Sequence, residues 1–405
     1  MTGMHLLLPT RILPYHSQGG MQIVAWNLAR EFVRQGISVT VLTTYISKMP
    51  SHFIEDGVEV ISLPWTKPGR YSKEWWRESR SVFKRELASR ITGVLSISSA
   101  AYSMLSLKDQ LLGVPFVMQA HGTSVGEIIS KWRSRKVKFY LTSLYNVNAL
   151  FKDLATYKRF DAIVAVGNRV YKDLTRFPIS RFLPQDRVRL ILNGIDTRVF
   201  SPNLGARLKV RNEHGITQDD RVIITISRLH SQKGIDLSLR GFAHYVKQNS
   251  KAYYWIIGEG PDENQLKQLV KNLGIEACVH FFGSIDNEKV AHYINAADVF
   301  LFTTTHTEGG LPLNVLEALA TGIPVIVSNH LNFDSEIKSK MTLVDPRDVE
   351  NIAQAIDVAL GKASLGYTRQ SLLPERYHLY SVAKEYVILF DNLQAKSLER
   401  NNKVV

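Results

Sequence analysis

Five short stretches carry residue types that could do chemistry, and each follows an apolar run. Ser227-Arg228-Leu229 and, after a loop, Lys233-Gly234 put two fixed cations near each other. A guanidinium grips phosphate through its planar fork and an ammonium acts as a mobile point charge, so the pair suits a diphosphate; a solvated surface pair is the plain alternative. Glu308-Gly309-Gly310-Leu311-Pro312 leads into a short helix over 313–320 that holds Glu317. Glycine-exposed amides at a helix start attract phosphate, and two carboxylates can accept from sugar hydroxyls. Alternatively, one acid stabilises the helix dipole and the other is solvated. Gly19-Gly20 before a helix offers amides to an anion or is only a flexible turn. His121 ends a strand beside Gly122, which lets a ligand approach; a lone histidine there can equally be structural.

The fifth stretch, Gly258-Glu259-Gly260-Pro261, resembles a dinucleotide loop and fails as one. The G-x-G-x-x-G fingerprint needs glycine where Glu263 stands, and Pro261 interrupts the turn. The chain has no G-x-x-x-x-G-K-[ST] sequence, which excludes a Walker-type loop, and no D-x-D triplet to hold a metal clamp.

These turns need a scaffold, and the apolar pattern supplies one. Ile23, Val24, Leu28, Phe32 and Val33 share a helical face closed by Gly36, and Ser38-Val39-Thr40-Val41-Leu42-Thr43 then alternates as a strand. Phe116-Val117-Met118 and the run 161–166 repeat the strand pattern. A second series begins at 221–226 and continues through 253–257, 279–282, 299–302 and 324–327. Short buried strands separated by helix-length segments predict α/β architecture with doubly wound parallel sheets, which bind ligands at strand carboxyl ends. Turn residues put a linker near 197–205, and Ser381 to Phe390 read as a final amphipathic helix.

Composition narrows the partners. A chain of 405 residues predicts two domains, and 45% hydrophobic with 21% charged residues excludes disorder and coiled coil. The excess of 50 Lys plus Arg over 37 Asp plus Glu, +13, favours anionic partners: a phosphorylated small molecule, an acidic membrane surface or a nucleic acid. Cys278 is the sole cysteine and reads as a buried structural thiol, which predicts a reducing, cytoplasmic compartment. No apolar run reaches membrane-spanning length, and Met4 to Pro9 read as a first strand rather than a signal peptide. Two basic, aromatic-rich segments stand out: one with Arg70, Tyr71, Lys73, Trp75, Trp76, Arg77, Arg80, Phe83, Lys84 and Arg85, the other with Lys131, Trp132, Arg133, Arg135, Lys136, Lys138, Phe139 and Tyr140. Interfacial helices on anionic lipid have this composition, as do many solvated faces.

In this order the motifs resemble glycosyltransferase family 4 over nearly the whole chain: Gly19-Gly20 with Asn27 to Arg30, His121-Gly122, Val188 to Asp196 with Phe200 and Pro202, Ser227-Arg228-Leu229, Lys233-Gly234, the Gly258 loop, Ala297-Asp298-Val299 and Glu308 to Val325. The resemblance implies the GT-B fold, in which two Rossmann-like domains face across a cleft. They would be an acceptor-binding domain over 1–198, completed by a returning helix over 376–395, and a donor-binding domain over 199–375. It implies transfer from a UDP- or GDP-sugar to a glycan or lipid-linked saccharide with retention of configuration, in cell-surface polysaccharide or lipopolysaccharide synthesis. No cofactor and no metal are expected, and no nucleic acid; an anionic membrane surface is an expected peripheral partner. By resemblance Arg228 and Lys233 hold the diphosphate, Glu317 the ribose and Glu308 the sugar, while His121 lines the reaction centre. Gly19, Gly20, Gly258, Ile285, Gly309, Gly310, Leu311, Pro312 and Leu313 complete the expected donor site. The family usually has seven residues between its two glutamates, whereas Gly309 to Leu316 are eight, so the loop bulges at Gly309-Gly310 or Glu308 is displaced. The rival readings are a nucleotide-sugar epimerase of the same fold, which needs no acceptor, and a non-catalytic basic protein that binds nucleic acid with strong salt dependence.

Overall fold

The computed structural model describes residues 3–17, 19–111, 113–126, 128, 150–306, 311–362 and 369–402. Its internal contacts separate two units, Met1–Gly194 with Leu379–Val405, and Ile195–His378.

In the first unit β1 (His5–Pro9), β2 (Ser38–Thr44), β3 (His52–Glu55), β4 (Val58–Leu63), β5 (Gly93–Ile97), β6 (Phe116–Ala120), β7 (Ala162–Ala165) and β8 (Val188–Leu190) form one sheet, in the order β3-β4-β2-β1-β5-β6-β7-β8. Every described neighbour pair is parallel except the β3–β4 hairpin. That hairpin turns through Asp56-Gly57, both at positive φ (50° and 79°), the pairing that a tight two-residue turn demands. Alternation along β1 sends Leu6 and Leu8 to one core and Leu7 to the other, so the sheet is buried on both faces.

On one face lies α1 (Gly20–Arg34), whose Val24, Ala25, Leu28, Ala29 and Phe32 are buried. Gly36 closes it at φ 81°. On the other lies α2 (Lys73–Val82), and α3 (Asn168–Thr175) follows β7.

The second unit opens on α4 (Leu204–Glu213). Its strands β9 (Arg221–Ile226), β10 (Ala252–Ile257), β11 (Val279–Phe281), β12 (Val299–Phe302), β13 (Val325–Ser328) and β14 (Thr342–Val344) are all parallel, in the order β11-β10-β9-β12-β13-β14. Among them run α5 (Ile235–Val246), α6 (Glu263–Leu273), α7 (Asn287–Ala296), α8 (Leu313–Ala320), α9 (Ser335–Lys338) and α10 (Val349–Lys362). Counted within the unit, this is the 3-2-1-4-5-6 order of a doubly wound fold, whose direction reverses between β9 and β12.

The last helix, α11 (Leu379–Asn402), packs on the first unit, as expected. Leu379, Val382, Ala383, Tyr386, Leu389 and Phe390 form its buried stripe, joined to the core of α1. Gly93 is required there: a Cβ would stand 2.8 Å from the Phe390 ring. Among the described residues no helix is long and apolar enough to cross a membrane.

Two expectations are corrected. Cys278 is half-buried at the core margin, where partial burial pushes its thiol up. In the first basic segment Trp75 and Phe83 are fully buried core residues and so cannot anchor to a membrane, while half-buried Trp76 stacks on Tyr71 at 5.0 Å; the exposed cations are Lys73, Arg77, Arg80, Lys84 and Arg85. The second basic segment, Lys131 to Tyr140, lies outside the described residues.

Candidate active site

In the second unit the expected donor residues gather where the strand order reverses. The loop after β9 carries Arg228, exposed, and Lys233, half-buried with its ammonium 5.5 Å from the Phe302 ring. This loop is tied to the chain leaving β12. Thr303 Oγ1 donates to the Gly234 carbonyl at 2.8 Å, Thr304 Oγ1 to that of Gln232 at 2.8 Å, and the Thr305 amide to Gln232 at 3.0 Å. Gly234 sits at φ 64° with the Thr303 carbonyl 2.0 Å from where a Cβ would be, so only glycine allows the approach.

Gly258 is required by the packing of two loops. A Cβ there would stand 2.0 Å from the Ser227 carbonyl, and one at Gly260 2.1 Å from that of Leu229. The glycine loop thus lies backbone to backbone against the Arg228 loop, sealed by Leu229 N–H to Glu259 O at 2.9 Å. Glu259 accepts from the Ser284 amide at 3.2 Å, which fixes the turn before half-buried Ile285.

Leu311, Pro312 and Leu313 lead into α8, with Pro312 as its N-cap. Asn314 Nδ2 donates to the Ile226 carbonyl at 2.7 Å, which pins the helix to the end of β9. Three residues on, and so on the same helix face, stands Glu317, 8% exposed. Among the described residues no hydrogen bond or ion pair engages its carboxylate, and burial pushes it up to about 7. A mostly buried carboxylate that no protein group engages is the kind of group a ligand's hydroxyls can satisfy. Glu308, Gly309 and Gly310 lie outside the described residues.

In the first unit the order reverses between β1 and β5. Gly19 caps α1 in extended conformation and Gly20 opens the helix, while Ser98, at φ 53° after β5, donates to Met21 Sδ at 3.8 Å. After β6, half-buried His121 is crowded enough that burial lowers its imidazole to about 4; it is neutral at pH 7. Its Nε2 lies 2.8 Å from Gln119 Oε1. A Cβ on Gly122 would meet nothing within 4 Å among the described residues. The loop beyond is anchored by Thr123 Oγ1 to Asp173 at 3.1 Å and Ser124 Oγ to Asp153 at 2.6 Å.

Asp298, part of the family pattern, is structural. It is 2% exposed and accepts from Arg207 at 2.6 Å, Arg211 at 3.2 Å and the Val222 amide at 2.8 Å, tying α4 to the starts of β9 and β12. Sequence reasoning passed over Asn314, Thr303, Thr304 and Gln119. A signal existed for the last: a glutamine inside the apolar strand Phe116 to Ala120 must find partners.

Two doubly wound parallel sheets with glycine-built loops at their strand ends define the architecture, and comparison with known proteins gives the class. The model for glycosyltransferase family 4 matches residues 18–199, and that for glycosyl transferases group 1 matches residues 206–366. The chain belongs to glycosyltransferase family 4 and is a transferase. It is 26% identical to an uncharacterized glycosyltransferase of Methanocaldococcus jannaschii, over 96% of this chain and 98% of that one. Its fold is similar to that of sucrose-phosphate synthase from Thermosynechococcus elongatus (TM-score 0.75, 19% identity, 97% of this chain and 100% of that one). It is also similar to Anabaena HepE in complex with UDP and glucose (TM-score 0.67, 15% identity, 96% and 99%). The fold is GT-B.

Proposed function

We propose that the enzyme moves a sugar from a nucleoside diphosphate to a hydroxyl of a lipid-linked saccharide, with retention, in the building of a cell-surface polysaccharide or lipopolysaccharide. The observation that carries the donor reading is Glu317, a buried carboxylate without a partner among the described residues, on a helix pinned to the strand end from which Arg228 projects. Ribose hydroxyls supply the donors Glu317 lacks, and Arg228 and Lys233 take the diphosphate; the UDP and glucose bound by HepE support a donor of this kind.

In the reaction the bond from the anomeric carbon to the diphosphate breaks, the acceptor oxygen bonds to that carbon on the same face, and the acceptor proton passes to a diphosphate oxygen. The charge left on the diphosphate is met by Arg228, Lys233 and helix amides, so no metal is needed. Neutral His121 meets the sugar, and Glu308 sets sugar preference. The exposed cations Lys73, Arg77, Arg80 and Lys84 favour an anionic membrane surface, reached through charge alone from the cytoplasmic side.

A panel of sugar nucleotides tested by thermal shift decides the donor, since a ligand at 100 times its Kd stabilises by about 2.7 kcal/mol. One base should stabilise across several sugars. No stabilisation by any member overturns the reading, and an altered sugar released without acceptor assigns an epimerase.

A further inference from the structure

The returning helix does more than cover apolar surface. Gln119 is 2% exposed and Tyr386, on α11, is fully buried. Gln119 Nε2 donates to Tyr386 Oη at 2.8 Å, and Gln119 Oε1 faces His121 Nε2 at 2.8 Å. The two ends of an amide are unlike. With the NH2 given to the tyrosine, the end that meets His121 only accepts, so His121 Nε2 carries the proton and Nδ1 keeps its lone pair.

The tyrosine is held in turn. Its ring stands edge-on to Phe32 of α1 at 6.2 Å, one turn before Phe390 lodges against Gly93. Of the acids on the neighbouring loop and helix, Asp173 and Asp153 accept from Thr123 and Ser124, while Glu385 lies beside Tyr386 with burial pushing its carboxyl up. Burial alone lowers the basicity of the His121 ring.

We propose that Tyr386 and Gln119 are positioning residues that fix His121 in its Nε2–H tautomer, turning Nδ1 into an acceptor for a hydroxyl of the bound sugar. The inference rests on His121 acting at the sugar. The tautomer itself is measurable without any ligand, so the two ideas fail separately.

The test uses the full chain with 15N-labelled histidine. Long-range proton–nitrogen correlation shows which ring nitrogen bears the proton, and the signal lost in His121→Asn assigns the residue. Wild type should show Nε2–H and titrate well below pH 6.5. Tyr386→Phe, which keeps the ring and its packing, should release the amide and give mixed tautomers; Gln119→Leu should do the same. Gln119→Glu should retain Nε2–H and move the titration upward by more than one pH unit.

Turnover is read as nucleoside diphosphate released from the sugar nucleotide found in the panel. It should fall about 10- to 100-fold in kcat for Tyr386→Phe, with little change in donor KM. Ile388→Ala, on the 50% exposed side of the same helix, should leave both unchanged. An Nδ1–H wild type, or a Tyr386→Phe protein with unaltered tautomer and kcat, overturns the proposal. Normal turnover in His121→Asn instead removes the role given to His121 and leaves the tautomer data standing.

Discussion

Both units are doubly wound, the first with an added hairpin strand and eighth strand, but they secure their strand-end groups by opposite means. In the second, backbone lies on backbone: Gly234 against the Thr303 carbonyl, Gly258 against Ser227 and Gly260 against Leu229. The side chains so displayed are charged, and the buried one, Glu317, lacks a partner among the described residues. In the first unit a chain of side-chain hydrogen bonds runs from Tyr386 through Gln119 to His121, and the terminal group is neutral. Under the function proposed above, the difference has a chemical sense. A charged diphosphate and a polyol need cations and an unsatisfied carboxylate, whereas a sugar hydroxyl needs an oriented neutral acceptor.

Ending the chain after His378 should break the comparison most completely. It removes Tyr386, the buried apolar stripe of α11 and the Gln394 bond to the Thr92 carbonyl at 2.7 Å, all within the first unit. Each large apolar side chain lost contributes about 1.5–3 kcal/mol, enough in sum to unfold that unit. Transfer should vanish while nucleoside diphosphate still binds, more weakly, to the second. Two calorimetric transitions in the full chain and one in the truncated chain would bear this out; an unchanged melting profile would refute it.

Next in size are the cations. Arg228→Ala and Lys233→Ala should each lower turnover about 10²–10³-fold, the usual cost of removing one electrostatic donor from a developing anion. Arg228→Lys should also be impaired because the planar fork is lost. Nucleotide release at near-normal rates in both alanine variants would take the diphosphate away from this loop.

Much of this frame was readable from the chain itself. Apolar runs such as Val222 to Ile226 and Val299 to Phe302 are continuous because parallel strands are buried on both faces. Glycine pairs marked the strand-end turns, and Gly36 marked the end of α1. Five strands escaped: β3, β8 and β14 have too few apolar positions to alternate clearly, and β4 and β5 are interrupted by Glu59 and Ser96, although Asp56-Gly57 was a hairpin signal in plain view. The basic segment misled for a different reason. Composition cannot show which way a tryptophan faces, and the packing of α2 took Trp75 inward. The Tyr386–Gln119–His121 chain was out of reach because its first bond joins residues 267 apart in sequence.

Glu317→Gln sharpens the contrast on the charged side and should move two properties in opposite directions. Losing the charge should weaken nucleoside diphosphate binding by about 10- to 100-fold, from a charge-assisted bond of roughly 1.5–3 kcal/mol. Stability should rise. The folded-state value of about 7 lies above the ordinary 4.5, so the stabilising effect of the bound proton is complete below pH 4.5 and is lost as pH climbs through 7. A shift of that size corresponds to an amount on the order of 3 kcal/mol. At pH 8 the glutamine variant should therefore melt several degrees higher than wild type, with the gap closing near pH 4.5. Equal melting at pH 8 would show that burying the charge costs nothing, and undiminished binding in calorimetry that the carboxylate does not hold the nucleotide.

The smallest expected effect is none at all, from a chelator. If the second unit meets the leaving diphosphate with Arg228, Lys233 and amides alone, a metal has no charge left to neutralise. The chain offers no D-x-D triplet, and the described residues hold no group of three or more histidine, cysteine, aspartate or glutamate side chains placed to bind one. Turnover in EDTA should equal that in added Mg²⁺ or Mn²⁺. The cations make the test specific: in Arg228→Ala, where one positive group is missing, added Mg²⁺ can screen the diphosphate in solution and should recover part of the rate, although wild type ignores it. Full loss of wild-type activity in EDTA, restored by either ion, would mean that a metal supplies the charge assigned to Arg228 and Lys233, and that the loop after β9 serves another purpose.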